Sequence, residues 1–255
     1  MVKNIETIGC FEVILDRYNG LTVSKASVPL NTKTFDHNLE LLINRAISDE
    51  VNLLWLPLEL EKSNLVPVAT SFGFKYHTCH SDEILLVKEI KKGSIIPTAS
   101  NHTLGVGVVV INEKNELLVV KERHSHVGFK LPGGHIDDGE LIQSAVAREV
   151  KEETGIDVDF ESVISLGHFY PHQFDKSNLY ILCTAKPKSY EINISDTHEI
   201  IECAWVDVYE YINDENGFDY NKRIVKTALE TKGMRSEDLE SLQKIPKKYE
   251  LFFSI

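Results

Sequence analysis

Cysteine is scarce in this chain, and its four cysteines stand far apart, at Cys10, Cys79, Cys183 and Cys203. None belongs to a CxxC motif and their spacing matches no disulfide framework, so the sequence predicts a protein of a reduced compartment, the cytoplasm. The first residues lack the apolar segment of a secretory signal. No apolar run approaches the roughly 20 residues that a membrane-spanning helix needs. These absences disfavour secreted, disulfide-rich and membrane-spanning proteins.

Basic residues are also in the minority, with 27 lysines and arginines against 39 acidic residues and a formal net charge of −12. A surface that binds nucleic acid needs clustered lysine and arginine, so no nucleic-acid partner is predicted. A small anionic substrate would be repelled unless cations screened its binding site. The charge balance is therefore consistent with a metal-dependent enzyme.

One acidic segment in the middle of the chain predicts an amphipathic helix. Leu141–Thr154 contains neither proline nor glycine, and Gly155 stands where a helix stop is expected. Glu149, Glu152 and Glu153 are spaced i, i+3 and i+4 and share one helix face. Apolar residues recur at a similar period and predict the face that packs on a core: Ile142, Ala145, Val146 and Val150.

Three carboxylates on one helical turn repel one another, at a cost of roughly a few tenths of a kcal/mol per solvated pair and more when buried. A hard divalent cation would turn this repulsion into attraction, because Mg²⁺ and Mn²⁺ prefer oxygen ligands and bridge carboxylates to phosphates. The alternative is a solvated acidic helix face, the ordinary explanation of a charge run.

A longer pattern of fixed offsets separates these two interpretations. Residues 134–156 read GHIDDGELIQSAVAREVKEETGI and fit the form G-x5-E-x7-R-E-U-x-E-E-x-G-U, where U is aliphatic. The matched residues are Gly134, Glu140, Arg148, Glu149, Val150, Glu152, Glu153, Gly155 and Ile156. This is the Nudix box. The chain therefore resembles Nudix hydrolases, enzymes that split a nucleoside diphosphate linked to another group.

The resemblance implies a metal site of Mg²⁺ or Mn²⁺ at the box. Glu149, Glu152 and Glu153 would be its ligands, and the backbone at Gly134 could approach the metal closely because glycine lacks a Cβ atom. Metal bound there would offset charge on the diphosphate and lower the pKa of a bound water.

The roles of the box arginine and of the general base stay open in the sequence. Arg148 would orient the carboxylates or pair with Glu140, and an ordinary i, i+4 ion pair with Glu152 is equally compatible with the spacing. The base that activates water would be Glu152 or an acid on a later loop. Glu199, just before an apolar strand, matches where related enzymes place that acid, and Glu202 is its competitor.

The apolar segments and turns divide the chain into three parts. Residues 1–92 predict a small α/β unit, residues 93–103 a linker and residues 104–255 the Nudix domain. Leu104–Ile111 and Leu117–Glu122 are predicted to pair as a hairpin. Further predicted elements are strands over Phe160–Phe169, Leu179–Ala185 and Cys203–Val206 and a helix over Asn221–Thr231. These strands and helices predict a mixed sheet between helices, which agrees with the α/β/α sandwich that the resemblance implies.

The first unit has its own pattern of strands and helices. Its predicted elements are a hairpin of Phe11–Asp16 and Leu21–Val28, helices over Phe35–Ile47 and Asn64–Phe72, and strands over Val51–Leu58 and Ile84–Glu89. Residues 53–111 and 175–187 resemble one Nudix branch. It comprises plant ADP-ribose/NADH pyrophosphatases and the animal Nudix protein encoded antisense to a fibroblast growth factor. The resemblance implies an acetyltransferase-like pre-Nudix domain that serves packing and dimerisation, hence a homodimer.

The resemblance also implies a substrate class, with ADP-ribose first and NADH second. Cleavage of the ADP-ribose diphosphate would give AMP and ribose 5-phosphate. Pro171 lies about where ADP-ribose-cleaving relatives carry a proline after the box. Phe129 would stack on a base or pack in the core. Arg123 and Lys130 would contact phosphate or ribose, or remain solvated loop residues.

Two alternative functions remain compatible with the sequence. One is a metabolite sensor that binds ADP-ribose-like molecules without cleaving them. The other is an enzyme that acts on oxidised nucleoside triphosphates or dinucleoside polyphosphates. Gly105 and Gly107 lack the third glycine and the following helix of a dinucleotide-binding loop, so that fold is not predicted.

Overall fold

The computed structural model describes residues 5–244 and 246–254 and divides the chain into two compact units, residues 1–100 and 101–255. Each unit encloses its own hydrophobic core. Within the described residues, no helix is long and apolar enough to cross a membrane. All four cysteines are free thiols.

The first unit is a six-stranded sheet with two α-helices. Its elements are β1 (Ile5–Ile8), β2 (Phe11–Leu15), β3 (Gly20–Val23), α1 (Thr32–Ser48), β4 (Leu53–Glu59), α2 (Val66–Ser71), β5 (Lys75–Cys79) and β6 (Glu83–Glu89). The strand order is β1-β2-β3-β4-β6-β5, and only the β3–β4 pair is parallel. The predicted hairpin of β2 and β3 is confirmed, with Asn19 in the left-handed region at its turn (φ 59°).

In its described part, the second unit has eight strands that form two sheets, of which the larger is mixed. Its elements are β7 (His102–Val110), β8 (Glu116–Glu122), β9 (Gly133–His135), α3 (Ile142–Thr154), β10 (Val158–Phe169), β11 (Ser177–Pro187), β12 (Ile200–Asp207), α4 (Val208–Asn213), α5 (Asp219–Glu230), β13 (Met234–Ser236) and β14 (Phe252–Ser254). The larger sheet has the order β14-β13-β10-β11-β7-β9, in which β7 and β11 are parallel. The smaller sheet pairs β8 with β12.

The predicted hairpin pairing of β7 with β8 is wrong. The two strands share only the isolated bridge between Ile111 and Leu117. Both edges of β7 are already occupied, by β11 on one side and β9 on the other. β8 therefore turns away and forms its ladder with β12, which lies about 80 residues later in the sequence.

Helices cover both faces of the second unit, as the predicted α/β/α sandwich requires. Side chains along β7 alternate between two apolar clusters, with Val108 in one and Val109 in the other. The first cluster takes Ala145, Val146 and Val150 from α3. The second takes Val208 and Ile212 from α4 and Ile224 and Val225 from α5. The acidic face of α3 is thereby turned away from its own packing face.

The two ends of α3 are fixed in different ways. Gly155 ends the helix in the left-handed conformation (φ 77°), as the sequence predicts. At the start, the N-cap residue Leu141 offers no side-chain acceptor. The carboxylate of Glu250 takes that place, accepting hydrogen bonds from the backbone N–H groups of Ile142 (2.6 Å) and Gln143 (3.0 Å). A residue near the end of the chain therefore caps the box helix, where a negative charge is also favoured by the helix dipole.

We expect Glu250→Ala to lower the free energy of unfolding by about 1 kcal/mol, because two backbone donors of α3 lose their acceptor. Glu250→Gln, which keeps one acceptor oxygen but loses the charge, should lie between the wild type and Glu250→Ala. Urea unfolding followed by circular dichroism measures the change. Glu240→Ala, on an exposed turn, is the matched control, and equal losses in both alanine variants would contradict the capping role.

Candidate active site

The guanidinium group of Arg148 gathers the acidic side chains of the box. Its Nε and Nη2 atoms donate to the two carboxylate oxygens of Glu140, at 3.0 and 2.8 Å. Its Nη1 atom donates to Glu149 (2.9 Å) and to Glu152 (3.1 Å), and Nη2 also donates to the carbonyl of His135 (2.8 Å). The two pairings left open by the spacing, with Glu140 and with Glu152, thus occur together.

The charge-assisted hydrogen bond from Arg148 favours the ionised form of Glu140. The bond from Arg148 lowers the pKa of Glu140, and the same bond raises the pKa of Arg148 itself. Glu149 is different. Its burial raises its pKa, and the hydrogen bond from Arg148 opposes that shift without cancelling it. The carboxylates that Arg148 binds therefore carry more negative charge than its one positive charge can neutralise.

Glu153 is the most deeply placed carboxylate of the box, with 4% of the residue exposed. One of its oxygens accepts a hydrogen bond from the backbone N–H of Gly133 at 2.9 Å. Burial raises its pKa to about 8, and the charges of Glu149 and Glu199 add to that shift. Glu152, in contrast, has a side chain that is 52% exposed. The three predicted ligands therefore run from solvent to interior along one helix face.

Glycine is required at two positions beside these carboxylates. A Cβ atom on Gly134 would lie 2.7 Å from both carboxylate oxygens of Glu149. Gly133 has a φ of 149°, and a Cβ atom there would lie 2.1 Å from the carbonyl oxygen of Val106. Strand β9 can therefore approach α3 closely because these two residues carry no side chain. The approach leaves a narrow polar space between strand and helix.

The donor set fits a hard divalent cation. It consists of carboxylates, and burial together with the neighbouring negative charges raises the pKa of Glu149 and of Glu153, beside glycine backbone that approaches them without side chains. Across the described ranges 5–244 and 246–254, no three His, Cys, Asp or Glu side chains form a preformed metal cage. The reason is visible in the contacts: Arg148 engages Glu149 and Glu152, while the Gly133 N–H engages Glu153.

Of the two later acids, Glu199 lies near the box and Glu202 does not contact it. The charge of Glu199 contributes to the raised pKa of Glu153. Glu202 lies opposite Lys121 on strand β8 and forms a long ion pair with it (3.8 Å). The loop that carries Glu199 is anchored to α3, because the carbonyl of Glu152 accepts hydrogen bonds from the Ser195 hydroxyl (2.7 Å) and backbone N–H (3.2 Å).

Comparisons with known proteins find two family models that match this chain. Residues 101–227 match the NUDIX domain model, and residues 11–90 match the model of a Nudix hydrolase domain. Nudix hydrolase 8 of Arabidopsis thaliana is 35% identical over 83% of this chain and 59% of its own length. Human nucleoside diphosphate-linked moiety X motif 6 is 32% identical over 84% of this chain and 71% of its own length.

The chain belongs to the Nudix hydrolase family. It spans 59% of the length of the Arabidopsis relative. The plant and human relatives, with the matched N-terminal domain, confirm the predicted branch. A solved MutT protein from Methanosarcina mazei Go1 aligns with 52% of this chain and 98% of its own, at 24% identity and a TM-score of 0.43.

The four residues predicted to contact substrate in this Nudix chain each have different structural partners. Arg123 donates from Nε to the carbonyl of His198 (3.1 Å) and from Nη2 to that of Thr197 (2.9 Å), which ties it to the Glu199 loop. Lys130 forms an ion pair with Glu122. Phe129 packs against the second apolar cluster, and its backbone carbonyl accepts from the Tyr211 hydroxyl. Pro171 lines a cleft.

That cleft has a volume of about 600 Å³ and reaches Gly133, the residue that precedes the box. Sequence reasoning missed its aromatic lining, which consists of Phe169, Tyr180, Phe218 and Tyr220 together with His172. These residues come from β10, β11, the loop before α5 and α5 itself, so no local motif joins them. Tyr180 in particular lies in an apolar segment that is indistinguishable from an ordinary core strand.

We expect the metal-free protein to lose stability as the pH rises from about 5 to about 8. Folded Glu153 keeps its proton up to a pKa of about 8, whereas an unfolded glutamate releases it near roughly 4.3. The folded state therefore binds more protons across this window and is destabilised as they leave. Urea unfolding in EDTA at several pH values measures the slope. Glu153→Gln should flatten it, and a slope unchanged in Glu153→Gln but altered in the control Glu202→Gln would contradict the assignment.

Proposed function

We propose that this Nudix protein is a divalent-metal-dependent hydrolase that splits the diphosphate of a nucleoside diphosphate derivative. ADP-ribose is the first candidate substrate, with AMP and ribose 5-phosphate as products, and NADH is the second. The observation that carries the proposal is the acidic cluster of α3. Arg148 binds Glu149 and Glu152, Glu153 lies buried on the same helix face, and the cluster holds more negative charge than its one arginine neutralises.

Nudix hydrolases generally use divalent metal ions. Glu149, Glu152 and Glu153 would hold Mg²⁺ or Mn²⁺ here, with the Gly134 backbone beside them. The metal would supply charge neutralisation for the diphosphate oxygens and a water of lowered pKa. The protein's own contribution is to hold the carboxylates in position. Arg148 fixes the rotamers of Glu149 and Glu152, and the Gly133 N–H fixes that of Glu153.

Glu199 is our preferred general base for the attacking water. It follows a loop that hydrogen-bonds to the Glu152 carbonyl and to the Arg123 guanidinium, so its backbone is held beside the box. Its side chain is exposed and its charge acts on Glu153. Glu152 is the second candidate, because its exposed carboxylate could accept a proton if it did not bind metal.

A sensor that binds without cleavage is disfavoured by two features. Every carboxylate of the box is present, and the sequence shows no basic helix-turn-helix of the kind that DNA-binding regulators carry. Equilibrium binding of ADP-ribose in Mg²⁺ without release of AMP would support the sensor. Oxidised nucleoside triphosphates and dinucleoside polyphosphates belong in the same substrate screen.

We expect Glu152→Gln and Glu153→Gln each to lower kcat for ADP-ribose hydrolysis at least about 100-fold. Each change removes a charge that holds the metal but keeps the shape of the side chain. AMP release in Mg²⁺ and in Mn²⁺, followed by chromatography, is the measurement, and EDTA should abolish it. Glu202→Gln is the matched control. Full activity in a folded Glu152→Gln or Glu153→Gln variant would refute the assigned roles.

We expect Glu199→Gln to lower kcat about 100- to 10,000-fold at neutral pH while metal binding is retained. Loss of a proton acceptor affects the chemical step, whereas Glu199 has no assigned contact with metal. Mn²⁺ binding by calorimetry and the pH dependence of kcat are measured together. An unchanged kcat in Glu199→Gln would move the base to Glu152.

Three further predictions concern the whole protein, and of these only the homodimer comes from the resemblance. We propose a homodimer, in which the first unit supplies the contact between copies, and a cytoplasmic location. Neither nucleic acid nor a membrane is expected as a partner. Light scattering of the purified chain tests the oligomeric state directly.

A further inference from the structure

Arg123 binds the loop that carries Glu199 with both its side chain and its backbone. Its Nε atom donates to the carbonyl of His198 at 3.1 Å, and Nη2 donates to the carbonyl of Thr197 at 2.9 Å. The backbone N–H of Arg123 donates to the carbonyl of Glu199 at 2.8 Å. Three consecutive carbonyl groups of the loop therefore accept hydrogen bonds from this one residue.

The ladder between β8 and β12 brings Arg123 and Glu199 together although they lie far apart in the sequence. β8 ends at Glu122 and β12 begins at Ile200, and these two residues are partners in the antiparallel register. The register shifts between Ile200 and Glu202, which marks a bulge at the start of β12. A bulge disrupts the ladder locally. The backbone that enters β12 therefore depends on hydrogen bonds outside the ladder.

Asp196 binds the same stretch of backbone from within the loop. Its Oδ1 atom accepts hydrogen bonds from the backbone N–H groups of His198 (3.2 Å) and Glu199 (3.1 Å). The backbone N–H of Asp196 itself donates to the carbonyl of Glu152 on α3, at 3.1 Å. The main chain around Glu199 is therefore bound on its N–H side by Asp196 and on its carbonyl side by Arg123.

The start of the loop packs against the end of α3. The backbone N–H of Asn193 donates to the carbonyl of Thr154 at 2.9 Å. A Cβ atom on Gly155 would lie 2.4 Å from the carbonyl oxygen of Asn193. Gly155 therefore ends the helix and also leaves room for the loop. The loop is fixed at one end to the helix that carries the acidic cluster and at the other end to Arg123.

These hydrogen bonds assign Arg123 a different role from the phosphate or ribose contact that the sequence predicts. A guanidinium group binds phosphate best through two parallel N–H groups. In Arg123 the pair formed by Nε and Nη2 is already taken by two loop carbonyls. Arg123 is also not among the described residues that line the cleft. A substrate phosphate bound to this pair of donors would have to release the loop.

We propose that Arg123 is a positioning residue, which holds the backbone of residues 197–199 so that the Glu199 carboxylate stays beside the acidic cluster. Arg123 acts through Glu199 and does not contact the substrate. The charge of Glu199 already acts on the buried Glu153. Misplacement of a catalytic group by about 1 Å lowers a rate on the order of 100-fold, so loss of this anchor affects the chemical step. The inference rests on the proposed function for the role of Glu199.

Hydrolysis of ADP-ribose in Mg²⁺ by Arg123→Ala, Glu199→Gln and the double variant tests the proposal. We expect Arg123→Ala to lower kcat about tenfold and to change KM less than about twofold. In the Glu199→Gln background the same change should lower kcat less than about twofold, because residues that act as a unit are not additive. Arg123→Lys should have an intermediate kcat, since a single ammonium group does not reproduce the planar pair of donors.

Hydrogen exchange of residues 195–200, measured by mass spectrometry in EDTA, tests the anchor without any turnover. We expect exchange in Arg123→Ala to be about tenfold faster than in the wild type, because the loop opens locally more often. Arg235→Ala is the matched control, since Arg235 is an exposed arginine on β13, away from the loop in sequence and outside the cleft lining. It should leave exchange and kcat unchanged, and thermal melts establish that all variants are folded.

Three results would overturn the proposal. They are unchanged exchange of residues 195–200 in Arg123→Ala, a raised KM with unchanged kcat in that variant, and kcat losses of the two single variants that multiply in the double variant. The last two would make Arg123 a substrate contact. If the wild type hydrolyses none of the screened substrates, the proposed function fails while the exchange data still decide whether Arg123 holds the loop. Full activity in Glu199→Gln would overturn this inference together with the assignment of the base.

Discussion

The hydrogen bonds of one guanidinium group organise the catalytic half of this protein. Arg148 reaches Glu140 with a two-point contact and Glu149 and Glu152 with a shared nitrogen, and it also holds the carbonyl of His135. Without a cation these carboxylates would repel one another across a single helical turn. The single positive charge of Arg148 orders these carboxylates but leaves them with excess negative charge. That residual charge is the reason for proposing a metal site here rather than a purely structural salt bridge.

Close backbone approach is the second constraint, and it links the cluster to the cleft. Gly133 and Gly134 let β9 pass beside the carboxylates, while Gly105 and Gly107 let β7 accept the ring of Tyr180. All four glycines lie in two neighbouring strands of one sheet. The same part of the sheet therefore separates a charged, oxygen-rich region from an uncharged, aromatic one. A nucleoside diphosphate derivative has this same division between its charged middle and its aromatic end.

The sequence predicts well those features that depend on neighbours within a few residues. The helix around Glu149, its stop at Gly155 and the turn at Asn19 follow from helical periodicity and from the conformational freedom of particular residue types. It fails where distant segments compete for the same position. β8 was expected to pair with β7, but β9 and β11 occupy both edges of that strand. The cap of α3 comes from Glu250, 108 residues away from Ile142, and has no local signal.

The amino-acid sequence by itself therefore determined the family, the box helix and the three acidic residues that share one of its faces, because fixed offsets on a 3.6-residue helix place side chains without reference to the rest of the chain. Only the tertiary structure decided which donor each carboxylate binds. Glu153 accepts from the Gly133 N–H, and Glu149 and Glu152 accept from Arg148. It alone assembled the aromatic cleft, because burial and contact between residues far apart in sequence depend on strand order, which no local pattern encodes.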